Sequence, residues 1–108
     1  MRRKETTFAS PAALQTARHL AGLIRQARLA RGWTQAETSE RARISLATLK
    51  RIERGAVETS QGAWLAVLER VGLLPRLDEI RDPASEALLD GTRAKRSRSK
   101  RIAKDLDF

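Results

Sequence analysis

The chain has 108 residues, a net charge of +9, one histidine and no cysteine, which is room for one domain and excludes disulfides, thiol chemistry and any zinc-site spacing. Ala, Leu and Arg are abundant and only 4% of residues are aromatic, a composition that favours helices over a sheet. So basic a small protein points first to nucleic acid, with an anionic membrane or an acidic protein as the alternative.

Charge is uneven along the chain. Residues 1–31 carry seven basic residues and one acidic, residues 93–108 carry seven and two, and the middle is slightly acidic. The expected organisation is a basic arm over 1–10, a folded domain over 11–82 and a basic tail over 83–108. Met1 to Ser10 has no apolar centre of the kind a secretory signal needs. No apolar run approaches the ~18 residues that span a bilayer. No membrane association and a cytoplasmic location are therefore expected.

Ser10 is a good N-cap and Pro11 suits the first helical position. Leu20, Ile24 and Ala27 then recur on one helical face, and Gly32 reads as the stop, giving a first helix over roughly 11–31. Thr34 and Glu37 form a capping box for a short second helix ending near Ala42. After the turn Arg43-Ile44-Ser45, Ser45 caps a third helix from Leu46 to about Arg54, with Leu49 and Ile52 inward and Gly55 as its stop. A fourth runs from the Ser60 cap to Gly72 with Trp64, Leu65, Leu68 and Val71 on its apolar face. A fifth, Pro75 to Arg81, carries Leu77 and Ile80 and is broken by Asp82-Pro83. Ala84 to Leu89 allows one or two further turns. Thr92 to Lys104 has no apolar period and is expected to be disordered on its own, its cations lying along phosphates. The expected fold is all-α: a compact four- to five-helix bundle containing a helix-turn-helix, with a disordered basic C-terminal tail.

Gly32-Trp33-Thr34-Gln35-Ala36-Glu37, then Ile44-Ser45-x-x-Thr48-Leu49-x-Arg51-Ile52-Glu53-Arg54-Gly55, resembles the Cro/cI-type (Xre) helix-turn-helix family. Its pattern reads G-(apolar)-T-Q-x-x-L-A, then G-(apolar)-S-x-x-T-(apolar)-x-x-(apolar)-E-x-G. The likeness spans roughly residues 18–74. It implies double-stranded DNA as partner, with the third helix in the major groove. On that implication Ser45, Leu46, Ala47, Lys50 and Arg51 face the bases. Arg51 can hold guanine O6 and N7 bidentately, and Leu46 or Ala47 can press on a thymine methyl. Thr34, Gln35, Arg43, Thr48 and Arg54 fall to phosphates, Gln35 at a helix start that favours an anion.

Blander roles stand beside these. Leu46 can instead belong to the core, Arg51 to a solvated face, and Thr48 can bond back to its own helix. Trp33 and Trp64 match buried positions of the family rather than base-stacking ones. Arg28 and Glu53 match a structural pair that the family often makes between its first helix and the end of its third. His19 has no evident partner. Two departures from the pattern matter: Thr38-Ser39 replaces Leu-Ala, and Arg43 replaces the turn glycine, which costs of order 1 kcal/mol unless the turn relaxes.

One such unit reads few base pairs, so a homodimer on a palindromic operator is expected. Leu74, Leu77 and Ile80 are candidates for a dimer or partner interface, although Leu73 and Leu74 can equally close the core. Val67-Leu68-x-x-Val71-Gly72-Leu73-Leu74-x-x-Leu77-x-x-Ile80-Arg81-Asp82-Pro83, followed by a basic tail, is similar to HipB-like antitoxins. That likeness implies an antitoxin and autorepressor of a toxin–antitoxin operon, neutralising a HipA-like serine/threonine kinase, with Leu106 and Phe108 as candidate anchors on that partner. The alternatives are a stand-alone repressor and, from another class, an RNA- or membrane-binding protein using the basic ends. No nucleophile–base spacing, paired carboxylates or Gly-rich phosphate loop appears. No enzymatic activity, cofactor or metal is expected.

Overall fold

The computed structural model describes residues 9–105, the last five as backbone alone. Among them are six helices and no strand: α1 (Pro11–Ala30), α2 (Gln35–Ala42), α3 (Leu46–Glu53), α4 (Gln61–Arg70), α5 (Leu74–Leu77) and α6 (Pro83–Asp105). They fall into two compact units that meet in sequence at Asp78 and Glu79.

In the first unit, α1 to α4 each begin at the hydroxyl named by the sequence. Ser10, Thr34, Ser45 and Ser60 accept from the backbone N–H three residues on, at Ala13, Glu37, Thr48 and Ala63, over 3.0 to 3.2 Å. Each such cap is worth about 1 kcal/mol. α1 runs unbroken through Thr16 and closes where Gly32, at φ +69°, returns its N–H to Leu29. Gly55 and Gly72, at φ +80° and +81°, end α3 and α4 in the same left-handed way.

The core gathers one stripe from each of these helices. Ile24 of α1, Ala42 of α2, Leu49 and Ile52 of α3, and Val67 and Leu68 of α4 with Val71 form one buried cluster. Full burial of a Leu or Ile stabilises by roughly 1.5–3 kcal/mol. Trp33 and Trp64 pack half-buried against this cluster. The Trp64 indole N–H donates to the Ala56 carbonyl at 3.3 Å.

The Thr38-Ser39 departure is absorbed without orphaned groups. Both residues are buried, and their hydroxyls donate to the Thr34 and Ala36 carbonyls at 2.9 and 2.8 Å. The helix therefore exchanges apolar area for bonds to its own backbone, avoiding the penalty of an unpaired buried hydroxyl.

α5 is shorter than the expected helix over Pro75–Arg81. It is one turn, Leu74–Leu77, with no side-chain cap. Leu74 and Leu77 turn half-buried onto the core, whereas Ile80 is 73% exposed. A second turn would bury nothing to offset its ordering.

In the second unit, Ala84 to Leu89, expected to form one or two turns, and Thr92 to Lys104, expected to be disordered, instead belong to one helix, α6, 23 residues long. Its start is specific: the Asp82 carboxylate accepts from the Ala84 N–H and the Ser85 hydroxyl, the Asp82 carbonyl accepts from the Glu86 N–H, and Pro83 occupies the first position. The Ser85 bond first, then those from the Ala84 and Ser85 N–H groups, hold the Asp82 carboxyl below its usual range. Ala, Leu, Glu, Arg and Lys, all strong helix formers, make up most of the helix beyond this cap. Every described side chain of α6 is exposed. A segment so poor in apolar surface forms no core of its own, as its composition predicts, yet its backbone is still helical.

Candidate nucleic-acid interface

α2, the turn 43–45 and α3 are built as one piece. Arg43 adopts φ +58°, so the turn keeps the left-handed geometry and does not relax around the missing glycine. Its N–H reaches the Ser39 and Glu40 carbonyls, and the next N–H, from Ile44, bonds to Ser39 at 3.0 Å. Ile44 then drops half-buried onto the core. The Arg43 side chain stays exposed. The position is defined by its backbone strain, of order 1 kcal/mol.

α3 is divided lengthwise. Leu49, Ile52 and Glu53 are buried, while Leu46, Ala47, Lys50 and Arg51 are exposed. Leu46 is 38% exposed and outside the core cluster, which removes the core reading for it. On the outer face three side chains form a polar relay. The Ser45 hydroxyl donates to Thr48 Oγ1 at 2.8 Å, and Arg51 Nη2 approaches the same oxygen at 3.4 Å. The Arg51 guanidinium is thereby drawn toward the start of α3.

The inner face is anchored by charge. Arg28 Nε and Nη2 donate to the two carboxylate oxygens of Glu53 at 2.8 and 3.0 Å, and Arg28 Nη1 donates to the Trp33 carbonyl at 3.0 Å. The Glu53 side chain is 2% exposed and that of Arg28 11%. Bidentate geometry is the strongest form of such a pair. Two participants were not evident in the sequence. Arg25 donates to the Glu53 carbonyl, and Gln35 Nε2 approaches Glu53 Oε1 at 3.4 Å. Arg25 lies three residues before Arg28, on the same helical face, which is the signal that could have found it. Gln35, expected at a phosphate, has its side-chain amide turned toward Glu53 and is half-buried.

Among the other expected contact residues, Thr34 spends its hydroxyl on the α2 cap and on Glu37 Oε1, 3.2 Å away. Thr48 is half-buried and Arg54 exposed. Between residues 41 and 54 there are five cations and one acid, and that acid, Glu53, is the buried partner of Arg28. The exposed charge of the turn and α3 is therefore wholly positive. Trp33 is taken up by cations rather than by a base-stacking role: the Arg41 guanidinium lies 4.4 Å from its ring centre, and that of Arg31 5.9 Å. His19 is exposed. Leu106 and Phe108 lie outside the described residues.

Among the described residues no His, Asp and Glu cluster is placed to hold a metal ion, and no helix is long and apolar enough to cross a membrane. A family model described as a helix-turn-helix domain matches residues 19–82, more than half of the chain. No curated protein and no solved structure matches it.

Proposed function

The chain belongs to the helix-turn-helix domain family and is a DNA-binding regulator, and from that premise we propose a sequence-specific repressor whose α3 lies in the major groove. The observation that carries this reading is the division of α3: an inner face fixed by Leu49, Ile52 and the Arg28–Glu53 pair, and an outer face that is exposed and cationic. In this reading Ser45, Leu46, Ala47, Lys50 and Arg51 meet base edges, with Arg51 as the bidentate guanine reader. Thr34, Gln35, Arg43, Thr48 and Arg54 meet phosphates, Gln35 through its backbone N–H at the start of α2 when its amide stays with Glu53. The domain acts as a homodimer on a palindrome with half-sites about 34 Å apart, and works as a binding protein, not a catalyst. Residues 11–82 form the reading domain, flanked by the basic arm and tail.

The test is selection of duplexes from a random pool, with affinity then measured on the selected site. Arg51→Ala is expected to weaken that site by ~1–3 kcal/mol and to relax the preference at one position. An unchanged site and affinity would remove α3 from the interface.

The finer role is that of an antitoxin neutralising a HipA-like kinase. Its support is the likeness of residues 67–83, and the exposure of Ile80 at 73% and Leu88 at 72%, apolar surface of the kind a protein partner covers. Leu74 and Leu77 contribute less to this support, because they are half-buried on the chain's own core. A kinase gene adjacent to this one is expected. Truncation after Lys104, which removes Leu106 and Phe108, should then weaken neutralisation while leaving DNA binding nearly intact. A neighbourhood without such a gene would leave a stand-alone repressor.

A further inference from the structure

The second unit presents a helix with nothing buried and a dense run of charge. Arg93, Lys95, Arg96, Arg98 and Lys100 occupy eight residues with no acid among them, and all are exposed. None of the five takes part in an ion pair with a described residue. At 3.6 residues per turn, Arg93, Arg96 and Lys100 fall within an arc of about 60°. Lys95 and Arg98 share a second arc of similar width, centred about 160° around the helix from the first. Ala94, Ser97 and Ser99, all small, lie between them. The basic run continues in sequence through Arg101 and Lys104.

A helix lying on a single row of phosphates needs cations on one face only. Cations on two opposed faces, with slim positions between, suit an anionic trough whose two walls are both charged. The major groove of B-DNA is such a trough. It is about 12 Å wide, bordered by a phosphate strand on each side, and a helix with side chains is about 10–12 Å across. We propose that the basic half of α6 is a second groove-binding helix, seated in a major groove with Arg93, Arg96 and Lys100 on one phosphate wall and Lys95 and Arg98 on the other. This rests on the reading of the chain as a DNA-binding protein, and it adds a second, sequence-independent contact to that of α3. It also accounts for a helix without a core: like charges three and four residues apart repel along an isolated helix, and phosphates on both sides remove that repulsion.

The experiment compares the full chain with Arg93→Gln/Arg96→Gln/Lys100→Gln and with Lys95→Gln/Arg98→Gln. Gln has nearly the helix propensity of the residues it replaces, and far-UV circular dichroism confirms that α6 is retained. Affinity for a labelled mixed-sequence duplex is followed across a salt series by anisotropy. Each neutralised phosphate contributes about 0.9 to the slope of log affinity against log salt. The triple variant is therefore expected to lose about 2.7 from the slope and the double variant about 1.8. Loss from only one variant means that the helix lies on one strand from outside, and overturns the groove placement. Loss from neither, with wild-type DNA binding intact, shows that α6 does not touch DNA, and overturns the inference while leaving the α3 reading in place. Unchanged DNA slopes together with lost binding to phosphatidylglycerol vesicles make the helix a membrane element, which also overturns it. A wild-type chain that binds no duplex removes both readings, and the wild-type measurement in the same salt series identifies that case before any variant is compared.

Discussion

Removing the Glu53 carboxylate should destabilise the first unit more than removing any exposed acid. Its side chain is 2% exposed and accepts both Arg28 bonds. In Glu53→Ala the Arg28 guanidinium, itself only 11% exposed, keeps the Trp33 carbonyl as partner but loses its counter-charge. Breaking one side of a buried pair costs ~3–5 kcal/mol. The lower end applies here, since Arg28 retains one bond and some water. For a domain of this size ~1 kcal/mol shifts the melting point by about 4–8 °C, so a fall on the order of 12–24 °C is expected. Glu58→Ala, at an exposed carboxylate in the loop before α4, should stay within about 0.5 kcal/mol of wild type. Tryptophan fluorescence is the right probe. Both indoles lie in the first unit, so melting of α6 does not enter the signal. Equal melting points for the two variants would refute the reasoning. The double change Arg28→Met/Glu53→Leu separates loss of the pair from loss of the isolated charge, because an apolar replacement of both partners is often neutral or stabilising.

Three further outcomes are expected. Arg43→Gly should raise stability by ~0.5–1 kcal/mol by relieving the left-handed strain at φ +58°, yet flatten the salt dependence of DNA binding by about one phosphate contact; calorimetry and the salt series read the two opposite signs. Gly55→Ala should cost roughly 2–4 kcal/mol, because a Cβ there meets Arg18 Cα at 3.0 Å and Arg18 N at 3.1 Å; Gly32→Ala, with nothing within 4 Å, should cost only about 1 kcal/mol of strain in the same thermal melts. The third concerns Asp82, whose carboxyl is held below its usual value near 3.8. A lowered pKa means that the ionised cap contributes in full above the usual value and is lost as pH falls through the lowered one. The far-UV helix signal of α6 should therefore drop on acidification below about pH 4, and that increment should be missing in Asp82→Ala.

The first four helices were legible because their signals are local. Ser10, Thr34, Ser45 and Ser60 announce starts, and Gly32, Gly55 and Gly72 announce stops, within a few bonds of the backbone they satisfy. Arg43 was legible as a strained position, since the family pattern requires a left-handed residue there and the flanking carbonyls impose it. What escaped was set by neighbours distant in sequence. The inward turn of Gln35 depends on Glu53, eighteen residues away, and the truncation of α5 depends on which leucines the core can still accept. α6 escaped for another reason. Hydropathy periodicity detects helices that bury a face, and this one buries none, so its capping residues and propensities were the only signal available.

The lengthwise division of α3 bears on how such a protein changes over time. Apart from the half-buried Thr48, its residues separate into a buried set, Leu49, Ile52 and Glu53, that no lineage can alter cheaply and an exposed set, Leu46, Ala47, Lys50 and Arg51, whose replacement leaves stability almost untouched. Under the proposed reading, a substitution on that face would alter what is read without first spending the margin that keeps the chain folded. Gene duplicates can therefore diverge in target by single steps, each intermediate still folded. The buried Thr38-Ser39 pair offers no such freedom, because a change there must rebuild the seating of its own helix.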